Sequence, residues 1–343
     1  MLSLLDRRTL APPAHLKLDA AQPEAPAPAA AALRVSLAIP TQRRLEGLAT
    51  AVRSIFRQTG VDLTALELVI VDNDEVPSAQ PTAAALAHEA PFPVRYVHEP
   101  APGVANARNA ALAAASGDLI AFIDDDEEAT PGWLAALIET QVRYDADVVF
   151  GPVQARAPER IQQHRQYLEQ FFSREGPAET GIIAHYYGCG DSLVRRAALP
   201  HPTEAFSTAR NQTGGEDDDL FGRMQRGGVR FAWAHEALVW EDPVPARLTL
   251  DYALSRAFAY GQGPTYGCAT SDPPDWPGVA RWMAVGLAQT GVFGLFTALQ
   301  WARRSPHRAF AFDRLMRGLG KVLFGGPFKK HFYGLTPKAN EGS

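Results

Sequence analysis

From Arg34 to Ile123 the chain alternates short apolar runs with helical stretches, and no other feature of it restricts the fold so far. RVSLAI at 34–39 reads as a strand, Leu45 to Gln58 as a helix, LELVIV at 66–71 as a second strand and 82–89 as a short helix. VRYVH at 94–98 makes a third strand, Val104 to Ala115 a helix, and Asp118 to Ile123 a fourth, buried strand. Strands that alternate with helices join in parallel through crossovers, and the helices cover both faces of the sheet. The pattern therefore predicts an α/β fold with a Rossmann-like, mostly parallel sheet and flanking helices. Thr130-Pro131 predicts an N-cap followed by proline at the first helical position, opening a helix through Trp133, Leu134, Leu137 and Ile138. After Gly151 the regularity fades. A helix over 158–172, an apolar segment YYGCGDSLVRRAAL, a helix from Glu216 to Gln225, strands at FAWA and ALVW, and a helix from Leu248 to Gly261-Gln262-Gly263 complete the expected core.

Two acidic clusters stand out against this frame. Asp124-Asp125-Asp126 follows the fourth strand directly, and Glu216-Asp217-Asp218-Asp219 follows Gly214-Gly215. Adjacent carboxylates repel by roughly 4 kcal/mol per close pair at an effective dielectric of 20, and no lysine or arginine lies beside either cluster. A bound cation, or work as a base, would relieve that repulsion. Alone, the first cluster is also an acidic turn near a helix N-terminus, and the second a first-turn helix cap. The carboxyl ends of strands in open α/β sheets are where ligands bind, which favours a metal and nucleotide-diphosphate site.

Five motifs in order carry a resemblance: Val-Ser-Leu-Ala-Ile-Pro40-Thr41, Val-Ile-Val-Asp72-Asn73, Gly103-Val-Ala-Asn-Ala-Arg108-Asn109, Phe-Ile-Asp124-Asp125-Asp126 and Gly215-Glu216-Asp217-Asp218-Asp219-Leu220. Over about 34–265 the chain resembles the family 2 glycosyltransferases, inverting enzymes of the GT-A type. The resemblance implies a GT-A fold, a nucleotide-sugar donor with a UDP-sugar foremost, and a divalent cation, Mn²⁺ or Mg²⁺. It implies that Asp72 contacts the base or ribose, that Arg108 lines the nucleotide pocket with Pro40, Thr41 and Arg43, and that Asp124 and Asp126 are the outer positions of a DxD motif around Asp125. Asp126 reaches the metal in that pattern, and Asp124 serves the ribose side and the metal. Asp217 takes the place of the catalytic base, with Glu216 beside it. Gln42-Arg43 and Asn73-Asp74 depart from the family's usual residues, and Trp240-Glu241-Asp242 stands where some relatives supply a histidine.

The chemistry explains these residue types. A departing nucleoside diphosphate gains negative charge that a hard cation on oxygen ligands neutralises, and an attacking hydroxyl needs a carboxylate to take its proton. One base and a single displacement invert the anomeric centre. The expected reaction moves a hexose-type sugar to a saccharide or lipid-linked acceptor in bacterial-type cell-surface polysaccharide or glycoconjugate synthesis. Competing readings are a noncatalytic sugar- or nucleotide-binding homologue and a nucleotidyltransferase. A dinucleotide oxidoreductase would need a glycine-rich turn after the first strand, where the chain has Pro40-Thr41-Gln42-Arg43.

With 343 residues, 46% hydrophobic and 21% charged, the chain can bury a large core. A net charge of −5 argues against a nucleic-acid partner, and two cysteines, Cys189 and Cys268, support neither a disulfide framework nor a zinc site. A cytoplasmic location follows as the expectation, since MLSLLDRRTL lacks the apolar core of a signal peptide. The expected layout is an Ala/Pro-rich arm over 1–33, a catalytic region over 34–265 split into a nucleotide-sugar half (34–150) and an acceptor half (151–265), and a helical tail over 266–343. The apolar run 281–301 and the basic residues after it predict peripheral contact with the inner face of the membrane, in-plane or re-entrant rather than spanning.

Overall fold

The computed structural model describes residues 33–211 and 214–328. An eight-stranded sheet forms the frame, in the order β3 (Val94–His98), β2 (Leu66–Asp72), β1 (Val35–Thr41), β4 (Leu119–Phe122), β9 (Ser192–Arg195), β6 (Val148–Phe150), β10 (Phe231–Trp233) and β8 (Gly181–Ile183). The β3-β2-β1-β4 half is parallel, as the alternation demands. β9 then runs antiparallel to both of its neighbours, and β8 antiparallel to β10. A second sheet of three short strands, β5 (Glu127–Ala129), β11 (Val239–Glu241) and β7 (Val153–Ala155), stands beside the acidic cluster.

Every inner strand is apolar on both sides because both sides are covered. Leu37 and Ile39 of β1 with Leu68 and Ile70 of β2 pack under α1 (Leu45–Phe56) and α4 (Trp133–Tyr144), whose Leu48, Val52, Ile55, Trp133 and Leu137 are buried there. Ala38, Val69, Val71, Ile120 and Phe122 face the other way, onto α3 (Val104–Ala114) and α6 (Glu216–Arg226). There Phe150 meets the Phe221 ring edge-on at 5.1 Å, an arrangement aromatic quadrupoles favour. α2 (Gln80–Glu89) covers β2 and β3 through Ala83 and Leu86.

Three local expectations shift. Thr130 is not the N-cap of α4. Gly132 is, with no capping side chain, and the Thr130 hydroxyl instead donates to the Leu238 carbonyl at 2.8 Å, tying α4's entry to β11. The helix expected from 158 begins as α5 (Arg165–Phe172), because His164 takes a left-handed φ of 58° that no α-helix continues. The helix expected to stop at Gly261-Gln262-Gly263 runs on as α7 (Leu250–Thr270), through Pro264. Packing overrides local propensity there: Gln262 Nε2 donates to the Leu323 carbonyl at 2.7 Å and Thr265 Oγ1 to the Lys321 carbonyl at 2.9 Å, both at the end of α9 (Arg308–Val322). α8 (Trp276–Ala302) lies against α9. A third core of Tyr167, Leu168, Leu248, Ala253 and Ala309 joins α5, α7 and α9. The arm up to 32, and Lys329, Lys330 and Phe332 of the basic tail, lie outside the described residues.

Candidate active site

The parallel ladder between β1 and β4 ends at Ala38 opposite Phe122. Beyond it β1 continues on β2 alone, with Pro40 opposite Val71 and Thr41 opposite Asp72, so proline's missing N–H costs no ladder bond on the open side. The two chains part there, and Asp124 to Asp126 line the gap. Thr41 Oγ1 donates to Asp125 Oδ2 at 2.8 Å. Burial pushes the Asp125 carboxyl up to about 6, with Arg44 opposing.

Arg44, at the start of α1, is the partner the first cluster lacks in sequence. Its Nη1 meets Asp125 Oδ1 at 2.9 Å and Asp126 Oδ2 at 2.6 Å. The neighbouring Arg43 turns elsewhere: it binds both oxygens of Asp74 and leaves that carboxyl down at about 2, chiefly through this hydrogen bond. Asp72 is fully buried, accepting from the Ala79 N–H at 2.6 Å and the Tyr96 hydroxyl at 2.9 Å, while its Oδ1 has no partner among the described residues. Asn73 closes the neighbouring loops: Nδ2 donates to the Glu99 and Ala101 carbonyls and Oδ1 accepts from the Gly103 N–H.

The second acidic cluster opens α6. Gly214 and Gly215 both take positive φ, 72° and 82°, which glycine adopts freely, and the chain enters the helix with four acids in its first turn. Glu216 is buried and paired with Arg108 Nη1 at 2.5 Å, and Arg108 Nη2 lies 3.5 Å from Asp124. One guanidinium thus spans both acidic clusters. Burial raises the Glu216 and Asp124 carboxyls, Arg108 opposes, and the surrounding carboxylates add to the rise. Asp217 projects differently, its Oδ1 accepting from the Asp218 N–H at 2.9 Å and its Oδ2 from the Cys189 N–H at 3.3 Å.

A loop over 188–191 forms the floor between the clusters. A Cβ on Gly190 would stand 2.7 Å from Asp124 Oδ2, so only glycine lets this backbone lie so close to the carboxylate. Arg174 holds the loop, donating to the carbonyls of Gly151, Gly188, Gly190 and Asp191 at 2.8 to 3.0 Å. Burial pushes the Cys189 thiol up to about 12, which makes it a packing residue and no nucleophile. Glu127 and Glu241 complete the acidic lining. Glu127 Oε2 accepts the Asp124 N–H at 2.8 Å, and burial with the Asp126 and Asp124 charges pushes Glu241 up to about 8.

Of the residues singled out in sequence, Thr41, Asp124, Asp125, Asp126, Arg108, Glu216 and Asp217 therefore join one hydrogen-bonded cleft, with Pro40 and Asp72 at the strand ends beside it. Arg43 is held by Asp74. Sequence reasoning passed over Arg44, Arg174 and Glu127, of which Arg44 carried a signal as the second of two arginines just after Pro40-Thr41; Glu241 was noted only as part of the segment standing where some relatives supply a histidine.

The profile of Glycosyl transferase family 2 matches residues 36–201. Succinoglycan biosynthesis protein ExoM of Rhizobium meliloti is 34% identical over 235 residues, covering 67% of this chain and 74% of its own. Succinoglycan biosynthesis protein ExoW of the same organism is 32% identical over 123 residues, 35% of this chain and 38% of its own. Among solved structures, the mannosyltransferase PcManGT from Pyrobaculum calidifontis, in complex with GDP-Man and Mn²⁺, superposes with a TM-score of 0.53 at 17% identity, covering 86% of this chain and 88% of that one. At that identity the likeness is one of fold, and the fold is GT-A. The extended match to ExoM decides the classification: this chain is a glycosyltransferase and belongs to glycosyl transferase family 2.

Proposed function

We propose that the protein is an inverting transferase that moves a hexose from a nucleoside-diphosphate donor, a UDP-sugar in the first place, to a saccharide or lipid-linked acceptor in polysaccharide synthesis. The observation that carries this reading is the Arg108 bridge, which draws Asp124 of the donor side and the Glu216-Asp217 pair of the acceptor side to one cleft. The two succinoglycan biosynthesis relatives support the polysaccharide class of product.

The residues fit a divalent cation. Carboxylates outnumber guanidiniums in the cleft, and several are pushed up by burial and by one another. Among the described residues no three of His, Cys, Asp and Glu gather to hold a metal. Mg²⁺ or Mn²⁺ would be held on one or two carboxylates, Asp126 and Asp124, with donor phosphates supplying further oxygens. When bound, the cation neutralises charge on the leaving diphosphate. Asp72, with its unpartnered Oδ1, takes a donor group of the base or ribose, next to Pro40, Thr41 and Arg43. Asp217 accepts the proton of the acceptor hydroxyl. The Asp218 and Cys189 backbone N–H groups donate to its two oxygens and orient the carboxylate. Glu216, closed onto Arg108, positions that guanidinium.

In this reading 34–150 forms the donor half, 151–265 the acceptor half, and the helical tail places the enzyme peripherally at the cytoplasmic face of the membrane. Calorimetry with UDP tests the donor site. Wild type should bind more tightly with Mn²⁺, and Asp126→Ala should lose the Mn²⁺-dependent part with an unchanged melting temperature. Equal UDP affinity with and without Mn²⁺ in both proteins would overturn the metal assignment.

A further inference from the structure

α8 is built inside out for a helix in water. Its interior polar side chains face the protein: Gln289 Nε2 donates to the Arg314 carbonyl at 2.6 Å and Lys321 Nζ donates to Gln289 Oε1 at 3.1 Å. Thr297 is buried, and the Thr290 hydroxyl stands against Gly318 of α9. The outward face is apolar. Leu295 is 77% exposed, Val292 65% and Leu287 60%, with Phe296 and Leu299 beside them. Val292, Leu295, Phe296 and Leu299 follow helical spacing of three and four residues and Leu287 stands eight residues before Leu295, so all five share one side of the helix. From Trp282 to Ala302 the helix carries no charge, over about 32 Å of its length of about 40 Å.

The occupant of this face is read from its ends. Trp276 and Trp301 are exposed at the two termini, with Arg281 near the first and Arg303 and Arg304 just past the second. Tryptophan and arginine at the margins of an apolar band suit the headgroup level of a bilayer, and guanidiniums complement anionic lipid. A protein partner would need polar rim groups along the stripe, and it presents none between those ends. The mode of contact follows from α9, which lies against α8 with Arg314 beside Gln289, midway along it. A spanning α8 would carry Arg314, Arg317 and Lys321 into the hydrocarbon, where charge is costly.

We infer that α8 lies in the plane of an anionic membrane surface, with Leu287, Val292, Leu295, Phe296 and Leu299 in the acyl boundary and α9 and α7 holding it from the protein side. This deepens the peripheral-membrane part of the proposed function and does not depend on the donor assignment. Flotation of the full chain with phosphatidylglycerol-containing vesicles tests it, with pure phosphatidylcholine vesicles alongside. Wild type should float with the anionic vesicles and less with the neutral ones. The double variant Leu287→Glu/Leu295→Glu should float about tenfold less at an unchanged melting temperature, while Val142→Glu, at an exposed valine on α4, should float as wild type does. Wild type that fails to float, or a double variant that floats equally, overturns the inference. A wild-type dimer that the double variant converts to monomer, with no flotation by either, assigns the face to a second copy instead. UDP binding is measured separately, so failure of flotation and failure of the transferase reading are told apart.

Discussion

Arg108 and Glu216 lie 108 positions apart in the chain and form a buried ion pair with 2.5 Å between Nη1 and Oε1. A buried pair is costly to break from one side, because the remaining charge stays desolvated. Arg108→Ala should destabilise the protein by about 3–5 kcal/mol in urea unfolding, whereas Arg108→Met/Glu216→Met should recover much of the loss. The double variant should still lack activity, since Asp124 loses its guanidinium neighbour as well. A double variant whose loss equals the sum of the two single losses would show that the two residues act independently.

Asp217→Asn keeps the side chain's shape and its contact with the Cys189 N–H region while removing the proton acceptor. Turnover on a validated acceptor should fall by ~10² or more with donor affinity unchanged. Asp218→Asn serves as the comparison, because its carboxylate is adjacent and its loss should cost much less. Near-native turnover in the Asp217 variant would move the base to another carboxylate of the cleft.

Arg174→Lys preserves charge but not the fork that reaches four carbonyls of the 151 and 188–191 segments. Carbonyls left without donors should lower stability by about 1–3 kcal/mol. The amides of 188–191 should exchange faster with solvent, and turnover should fall because this loop carries the Cys189 N–H that orients Asp217. Unaltered hydrogen exchange over those residues would remove Arg174 from this role.

Asp191 is fully buried, with Oδ1 accepting from Trp133 Nε1 at 2.7 Å and Oδ2 3.3 Å from Arg174. Burial pushes its carboxyl up to about 6, the Arg174 charge opposing. An acid raised in the folded state holds its proton more tightly there than in the unfolded chain, so stability falls as pH rises from about 4 to about 6 and levels off above. Its contribution is on the order of 3 kcal/mol. Arg43 keeps Asp74 down at about 2, which gives the opposite slope below pH 4. Asp191→Asn should reduce the slope of unfolding free energy between pH 4 and 6, with Asp125, also raised to about 6, supplying part of what remains; denaturant titration at each pH reads it, and an unchanged slope would assign the proton elsewhere.

The parallel half of the sheet was legible because its strands are apolar on both faces and its helices keep a helical period, signals local to each segment. Of the strands from β6 to β11, only β10 and β11 were legible, as FAWA and ALVW. The others are three or four residues long, too short for any period, and β9 reaches its antiparallel place between β4 and β6 only through contacts made after collapse. The continuation of α7 through Pro264 has the same cause, since the carbonyls that hold Gln262 and Thr265 belong to a helix more than 50 positions away.

Five short motifs in order along an α/β pattern were enough to carry the resemblance to the family 2 glycosyltransferases, because residue type and placement at strand and helix ends are written locally. Which charges neutralise those acids was decided only by the tertiary structure. Arg44 lies far in sequence from Asp125 and Asp126, and Arg108 from Glu216, while Glu241 is brought opposite Glu127 by the β5–β11 pairing. The same holds for α8, whose apolar run is plain in sequence while the direction of its polar groups depends on α9. Coulomb attraction and burial act over distance in space, and separation along the chain does not report that distance.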